Sequence, residues 1–334
     1  MHSYLPLLSL VVTAVALPAS GPRIKRSSAP SGCLSVGRSA QYKTVQSAVD
    51  ALSTTSKAPQ CIFIAAGTYH EQVSILKLKS PLTIYGETTD TSSYTANTVT
   101  ITQSRSLDNS ASDDLTATLR AWVSHLKVYN VNLVNTRGSG SRALALSAWN
   151  SKQGYYGCQF KGFQDTLLAD TGTQIYAKSL IQGATDFIFG QDPQAWFDGV
   201  DIRVVETSVG YITASGRSSS SSPSWFVINR STIAAASGSH VPAGTFYLGR
   251  PWLSHARVMV QDTSMSNVIN GAGWAIWANS QPNIDNVAFT EFGNHGDGSN
   301  GKRAKFSSKL SAPVRIDQVL GSDYKSWVDT RYLS

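Results

Sequence analysis

Charge is scarce in this chain. Only 15% of its 334 residues are Asp, Glu, Lys or Arg, against about 25% in an ordinary soluble domain, and that composition excludes a disordered polyelectrolyte. Long apolar runs are lacking too: the one near the N-terminus, residues 5–17, falls short of the ~20 residues that cross a bilayer. Three cysteines are too few for a disulfide scaffold and leave room for one bridge within a monomer. Several chemical signatures are missing as well. There is no G-x-S-x-G elbow, no H-E-x-x-H, no C-x-x-C and no P-loop, and the histidines form no metal-like cluster. A Ser-His-Asp esterase and a zinc enzyme are therefore disfavoured, and no metal or cofactor is implied.

What is present is apolar and aromatic. Hydrophobic residues make up 41% of the chain, with 8 Trp, 13 Tyr and 11 Phe, enough for one large core. The run at 5–17, followed by the small residues Pro18, Ala19 and Ser20, reads as a secretory signal peptide spanning 1–20. Behind it, Lys25-Arg26 reads as a dibasic processing site closing a propeptide at 21–26, which leaves 27–334 as one domain. Loss of residues 1–26 removes Arg23, Lys25 and Arg26 and no acid, so the formal charge of +7 falls to +4, spread thinly. No nucleic-acid or membrane partner is expected, and a secreted monomer is. Cys33 and Cys61 each open a β-like run, so parallel neighbouring strands would bring their sulfurs together and leave Cys158 free and buried. Asn229-Arg230-Ser231 is the sole N-x-S/T sequon and marks Asn229 for glycosylation.

One amphipathic helical pattern stands out, at residues 44–52, with Val45, Ala48, Val49 and Leu52 on one face. The rest consists of β-like runs at 62–65, 72–75, 82–85, 98–102, 126–135, 144–148, 155–160, 174–181, 195–205, 225–233 and 256–261, without crossover helices. That order excludes an alternating β/α fold. A weak repeat narrows the choice: Cys158-Gln-Phe160, Ser179-Leu-Ile181 and Val200-Asp-Ile202 recur every 21 residues. Short strands at such a period predict an all-β parallel β-helix, with the early helix capping one end and the stretch 309–330 packed outside as a tail. Asn132, Asn229 and Asn267 are candidates for polar ladders at its turns.

The same period picks out two acids. Asp165 in Gly162-Phe-Gln-Asp-Thr-Leu167 and Asp186 in Gly183-Ala-Thr-Asp-Phe-Ile-Phe-Gly190 lie 21 residues apart, which places them on adjacent coils, about 4.8 Å apart along the stack. Two carboxyls so close cannot both ionise freely, so one becomes a proton donor while the other stays charged. Arg250 in Tyr247-Leu-Gly-Arg-Pro-Trp252 is the cation that would fix which, and Trp252 beside it offers a flat face for a sugar ring.

At these three motifs, and at 67–73 and 268–274, the chain resembles the pectin methylesterases, in particular their compact fungal members, from about residue 40 to the C-terminus. The resemblance implies a right-handed parallel β-helix acting on methyl-esterified galacturonan. It makes Asp186 the nucleophile, Asp165 the acid and then the base, Gln164 an oxyanion donor and Arg250 the partner of Asp186. Trp252, Phe163, Phe189 and Trp274 would line the sugar cleft. One departure stands out: where the family carries a second oxyanion glutamine, this chain has Arg142, which offers donors, adds charge, and is long enough to pair with either aspartate. Two alternatives accompany this reading. One is a pectin-depolymerising glycoside hydrolase, which also uses two carboxylates near 5 Å; the other is a polysaccharide-binding β-helix weakened by Arg142.

Overall fold

The computed structural model describes residues 24–334; the expected signal peptide at 1–20 lies outside them. The strands form a succession of short parallel pairings in two sheets, one of 17 strands and one of 8. The larger sheet bends along the long strand Leu167–Ala177, whose first half pairs with Leu146–Trp149 and whose second half pairs with Gln153–Tyr156. The result is a solenoid with three faces. One face, which carries the site, runs through Leu119–Ala121, Leu146–Trp149, Thr185–Gly190, Gly210–Ser215 and Phe246–Pro251. The second runs through Gln60–Ile64, Leu126–Tyr129, Gln153–Tyr156, Asp192–Asp198, Trp225–Asn229 and Arg257–Gln261. The third is the 8-stranded sheet, from Gly67–His70 to Ser264–Met265.

Five β-like runs of the sequence are each two strands. The chain turns from the second face to the third through one residue in the left-handed region: Asn130 (φ 55°), Gly157 (58°), Lys178 (50°), Gly199 (56°), Arg230 (47°) and, after Arg257–Gln261, Asp262 (49°). Only two of these are glycine, so the composition gives no break, and lysine, arginine and aspartate bear the modest steric cost that stacking repays. A hydroxyl next to the corner helps. Ser179, Ser231 and Thr263 each donate back to the carbonyl two residues earlier, at 3.0, 2.8 and 2.8 Å. Each hydroxyl oxygen also accepts an N–H from the coil before it, from Cys158, Val200 and Ser231 respectively. The inner polar ladder is therefore built from hydroxyls.

Asn229 belongs to a different column. Its amide donates to Asp198 at 2.6 Å and its oxygen accepts from Gln261 at 2.7 Å, the three residues being register partners on adjacent coils. Only 7% of Asn229 is exposed. The expectation of glycosylation there is corrected, because the nitrogen that would carry the sugar is buried and already bonded.

The core fills the tube. Phe160, Ile181, Ile202, Ile233 and Met265 are register partners on the third face and all are buried. From the second face Tyr155, Tyr176 and Phe197 stack in sequence at 5.0 and 4.8 Å. Helix α1, Val45–Asp50, buries Val45, Ala48 and Val49 at the N-terminal end. Its start is fixed by Thr44 as N-cap and by the Glu71 carboxylate, which accepts from the Val45 and Gln46 N–H groups at 2.8 and 2.9 Å. Cys33 and Cys61 are bridged, with Leu34 opposite Ile62 in parallel register, and Cys158 is free and buried. Arg26, second residue of the dibasic pair, is part of the fold: its backbone pairs with Thr88, and its guanidinium lies over Tyr85 and Tyr129 at 4.9 and 5.6 Å.

Candidate active site

Alternation along the strands decides what faces the cleft. The row Leu167, Ile188, Thr213 and Gly249 points inward, and the adjacent row Leu168, Phe189, Ala214 and Arg250 points outward. Leu168, Phe189 and Ala214 make an apolar floor joined by Leu144 and Ala117, with Trp149, Trp252 and Trp277 packed on it. Above it opens a cleft of about 270 Å³ lined by Arg142, Gln164, Asp165, Asp186, Phe189, Ala214, Arg250, Trp252 and Trp277.

The two aspartates sit on successive coils. Gln164 pairs with Thr185 as a parallel bridge, and the Asp165 N–H donates to the Thr185 carbonyl at 3.0 Å. Both are in the left-handed region, Asp165 at φ 62° and Asp186 at 49°, a costly conformation for a residue with a Cβ, which the stack enforces and which aims both carboxyls into the cleft. Both are nearly buried, 5% and 6% exposed. Their environments then separate them. Burial, the neighbouring Asp186 and the more distant Asp113 push the Asp165 carboxyl well above the usual range, with Arg142 and Arg250 opposing. Burial also raises Asp186, but Arg250 counters it directly: Nε and Nη2 of Arg250 donate to the two oxygens of Asp186 at 2.9 and 2.6 Å. A fork of this kind requires the ionised carboxylate.

Arg250 is itself held on both sides. Its guanidinium lies 4.0 Å from the Tyr211 ring centre and 4.3 Å from that of Trp277, and its Nη1 donates to the Trp277 carbonyl at 3.3 Å. The Gln164 side-chain amide bonds no protein group among the described residues and lines the cleft as a free donor. Arg142 pairs with neither catalytic candidate; its Nη1 donates to Asp113 at 2.8 Å.

Two sequence expectations are corrected. Trp274 does not line the cleft: it is 1% exposed and stacks on Phe289 at 4.4 Å, because its backbone pairs with Gly249 of the inward row. Phe163 packs against the main core and is absent from the cleft wall. Trp252 and Phe189 are in place, with ring centres 6.3 Å apart. Sequence reasoning missed Trp277, Tyr211 and Asp113. A signal for Trp277 existed, three residues beyond the highlighted Trp274, but only the strand register shows which of the two faces out.

A parallel β-helix whose outer face holds one buried carboxyl of raised proton affinity and one Arg-bound carboxylate over an apolar floor edged by tryptophans belongs to the class of extended-cleft enzymes that act on chains of sugars through carboxyl groups. The Pectinesterase family profile matches residues 33–315, and the chain belongs to that family. It is 52% identical to a pectinesterase of Aspergillus niger over 98% of both chains, and 51% identical to one of Aspergillus aculeatus over 98% of this chain and 100% of the other. Among solved structures it resembles the Aspergillus niger pectin methylesterase, with a TM-score of 0.87 at 41% identity over 92% of this chain and 100% of that one. The carrot pectin methylesterase matches with a TM-score of 0.82 at 27% identity, over 92% and 98%. The expected fold and family membership are thereby shown.

Proposed function

We propose that this protein is a secreted esterase that removes methyl groups from methyl-esterified galacturonan, releasing methanol and leaving the free polygalacturonate. The observation that carries the reading is the division of labour between Asp186, gripped by Arg250 at both oxygens, and Asp165, buried and partnerless enough to keep its proton. The Asp186 carboxylate attacks the ester carbonyl carbon. The resulting oxyanion accepts the Gln164 N–H, a contribution of about 3 kcal/mol when such a donor is well placed. As the tetrahedral intermediate collapses, Asp165 gives its proton to the leaving methoxide, so that methanol departs and an anhydride with Asp186 remains. Asp165, now a carboxylate, takes a proton from water as that water attacks the anhydride, and Asp186 is regenerated.

The flat faces of Trp252 and Phe189 suit sugar rings. Stacked pairs continue along the same face in both directions, Trp122 with Trp149 at 4.7 Å and Tyr211 with Tyr247 at 5.7 Å, which supports a polymer as substrate. The depolymerising and non-catalytic alternatives gain no support from the relatives. Residues 1–20 act as the secretion leader and 27–334 as one monomeric catalytic domain with no nucleic-acid or membrane partner. A cut at the proposed dibasic site would remove Arg26 and with it the hydrogen bonds that its guanidinium donates to the Gly86 carbonyl and Asn130.

The test is methanol release from highly esterified pectin by the wild type and by Asp186→Ala. The wild type is expected to release methanol without lowering viscosity, and the variant to lose at least about a thousandfold in kcat while still melting cooperatively. A folded wild type that releases none, or that generates reducing ends instead, overturns the reading.

A further inference from the structure

The cleft charges form a column along the solenoid axis. The Leu144 N–H donates to the Thr116 hydroxyl, the Ala143 N–H to the Gln164 carbonyl, and the Asp165 N–H to the Thr185 carbonyl. Residues 113–116, 142–144, 164–166 and 185–186 thus occupy four successive coils. Read along the column, the groups are Asp113, Arg142, Asp165 and Asp186, with Arg250 reaching back from beyond Tyr211. The Asp165–Asp186 pair is therefore bounded by a cation on each side, and the two cations are treated differently. Arg250 spends its charge on Asp186, whereas Arg142 spends its charge on Asp113, away from the pair.

Asp113 is placed for that purpose. Helix α2, Asp113–Thr116, starts at the N-cap Ser112, and its two adjacent acids part company. Asp114 is fully engaged, accepting from the Arg120 Nε and Nη2, the Trp122 Nε1 and the Ser147 hydroxyl at 2.9, 2.6, 3.0 and 2.7 Å. It pins the helix to the sheet. Among the described residues Asp113 receives only Arg142, through one oxygen, and its other oxygen is buried without a partner there. The cation that holds the first oxygen is a side chain that lines the cleft.

We infer that Asp113 is a positioning residue for the reaction: by holding and neutralising Arg142, it prevents that guanidinium from pairing with Asp165 and so keeps Asp165 protonated for its role as acid. This rests on the proposed esterase mechanism. The groups that act on Asp165 are Asp186, Asp113, Arg142 and Arg250. Asp113 works in the same direction as Asp186, raising the proton affinity of Asp165, and Arg142 works against it. The opposed charges make the inference testable by sign.

The readout is the alkaline limb of the pH profile of kcat/KM for methanol release, which reports loss of the Asp165 proton. Asp113→Asn removes one negative charge and frees Arg142, so its alkaline limb is expected to move to lower pH by roughly half a unit or more. Arg142→Gln leaves Asp113 uncompensated, so its limb moves to higher pH. The double variant lies between the two, and Asp113→Glu, which keeps the charge, stays near the wild type. A purely structural role for Asp113 lowers kcat or Tm without moving the limb. An unmoved limb in Asp113→Asn or in Arg142→Gln overturns the inference, and if Asp113→Asn fails to fold, Arg142→Gln decides alone. A wild type without methanol release would instead remove the mechanism on which this stands.

Discussion

Asp165 shows how much stability a single reactive residue can cost. It combines a left-handed backbone at φ 62° with a carboxyl that is only 5% exposed and has no cation of its own. Because its proton affinity is raised in the fold, the native state binds a proton that the unfolded chain releases. Below the unfolded pKa of about 3.9 both states are protonated and no penalty exists. As pH rises from there towards the folded pKa, folding is increasingly disfavoured. Asp165→Asn keeps the shape, suits the left-handed region and removes the titration. Its Tm is expected to exceed the wild type's by a few degrees at pH 7, with the gap closing near pH 3.5, while methanol release is lost. Asp186→Asn should lower Tm at pH 7 although burial raises the Asp186 carboxyl as well, because the larger effect is to leave the Arg250 guanidinium, between Tyr211 and Trp277, without its carboxylate. Thermal melts of the two variants across pH check both signs; a destabilised Asp165→Asn at pH 7 contradicts the account.

The coils were legible in the sequence wherever one periodicity carried the information. The 21-residue interval located Asp165 and Asp186 on adjacent coils, and the strand starts at Cys33 and Cys61 located the bridge. Legibility failed where the chain bends without a breaker. Lys178 and Arg230 turn the backbone as sharply as Gly157 and Gly199 do, so runs such as 174–181 read as continuous. It failed again at Trp274 and Trp277, since which one faces outward depends on pairing with Gly249, a partner 25 residues away in sequence. Asp113 was illegible for a related reason: a short acidic helix start resembles any other until the coil above it shows Arg142. Where coils touch most closely, the spacing is absolute. A Cβ on Gly190, at φ 154°, would come within 1.7 Å of the Ala169 carbonyl oxygen, a backbone atom of the preceding coil. Gly190→Ala must therefore push apart two coils next to Phe189 and Asp186, and is expected to cost roughly 3 kcal/mol or more, a fall in Tm of about 10 °C, with activity lost alongside. Gly138→Ala, also at positive φ but with no atom within 4 Å of the new Cβ, serves as the comparison and should cost about 1 kcal/mol. Equal melting temperatures for the two variants would show that the coil spacing yields.

At the scale of the whole molecule the three faces have different fates. One is the cleft, one is the 8-stranded sheet, and the second face would present Tyr129, Tyr156, Trp196, Val227 and Met259 to water were it bare. The C-terminal segment covers it: Val314, Val319, Leu320, Trp327, Val328 and Tyr332 are buried against those side chains, each worth about 1.5–3 kcal/mol when fully removed from water. Polar contacts fix the register of that cover. Gln261 exchanges two hydrogen bonds with the Val314 backbone at 3.0 and 2.9 Å, Gln194 donates to the Val319 carbonyl at 2.7 Å, and Tyr129 donates to Asp329 at 3.0 Å. The last pairing to the solenoid proper ends at Lys309, so a chain stopped after Leu310 keeps every coil and every cleft residue while losing the cover. Such a chain should melt more than 10 °C lower and aggregate on warming through its bared aromatic face. At 20 °C, before unfolding begins, its kcat should stay within a few-fold of the full chain, because the cover and the cleft lie on different faces. Thermal melts with light scattering, paired with methanol release at 20 °C, separate the two effects. A truncated chain with an unchanged Tm would mean that the second face needs no cover, and one that is stable but inactive would mean that the tail acts on the cleft.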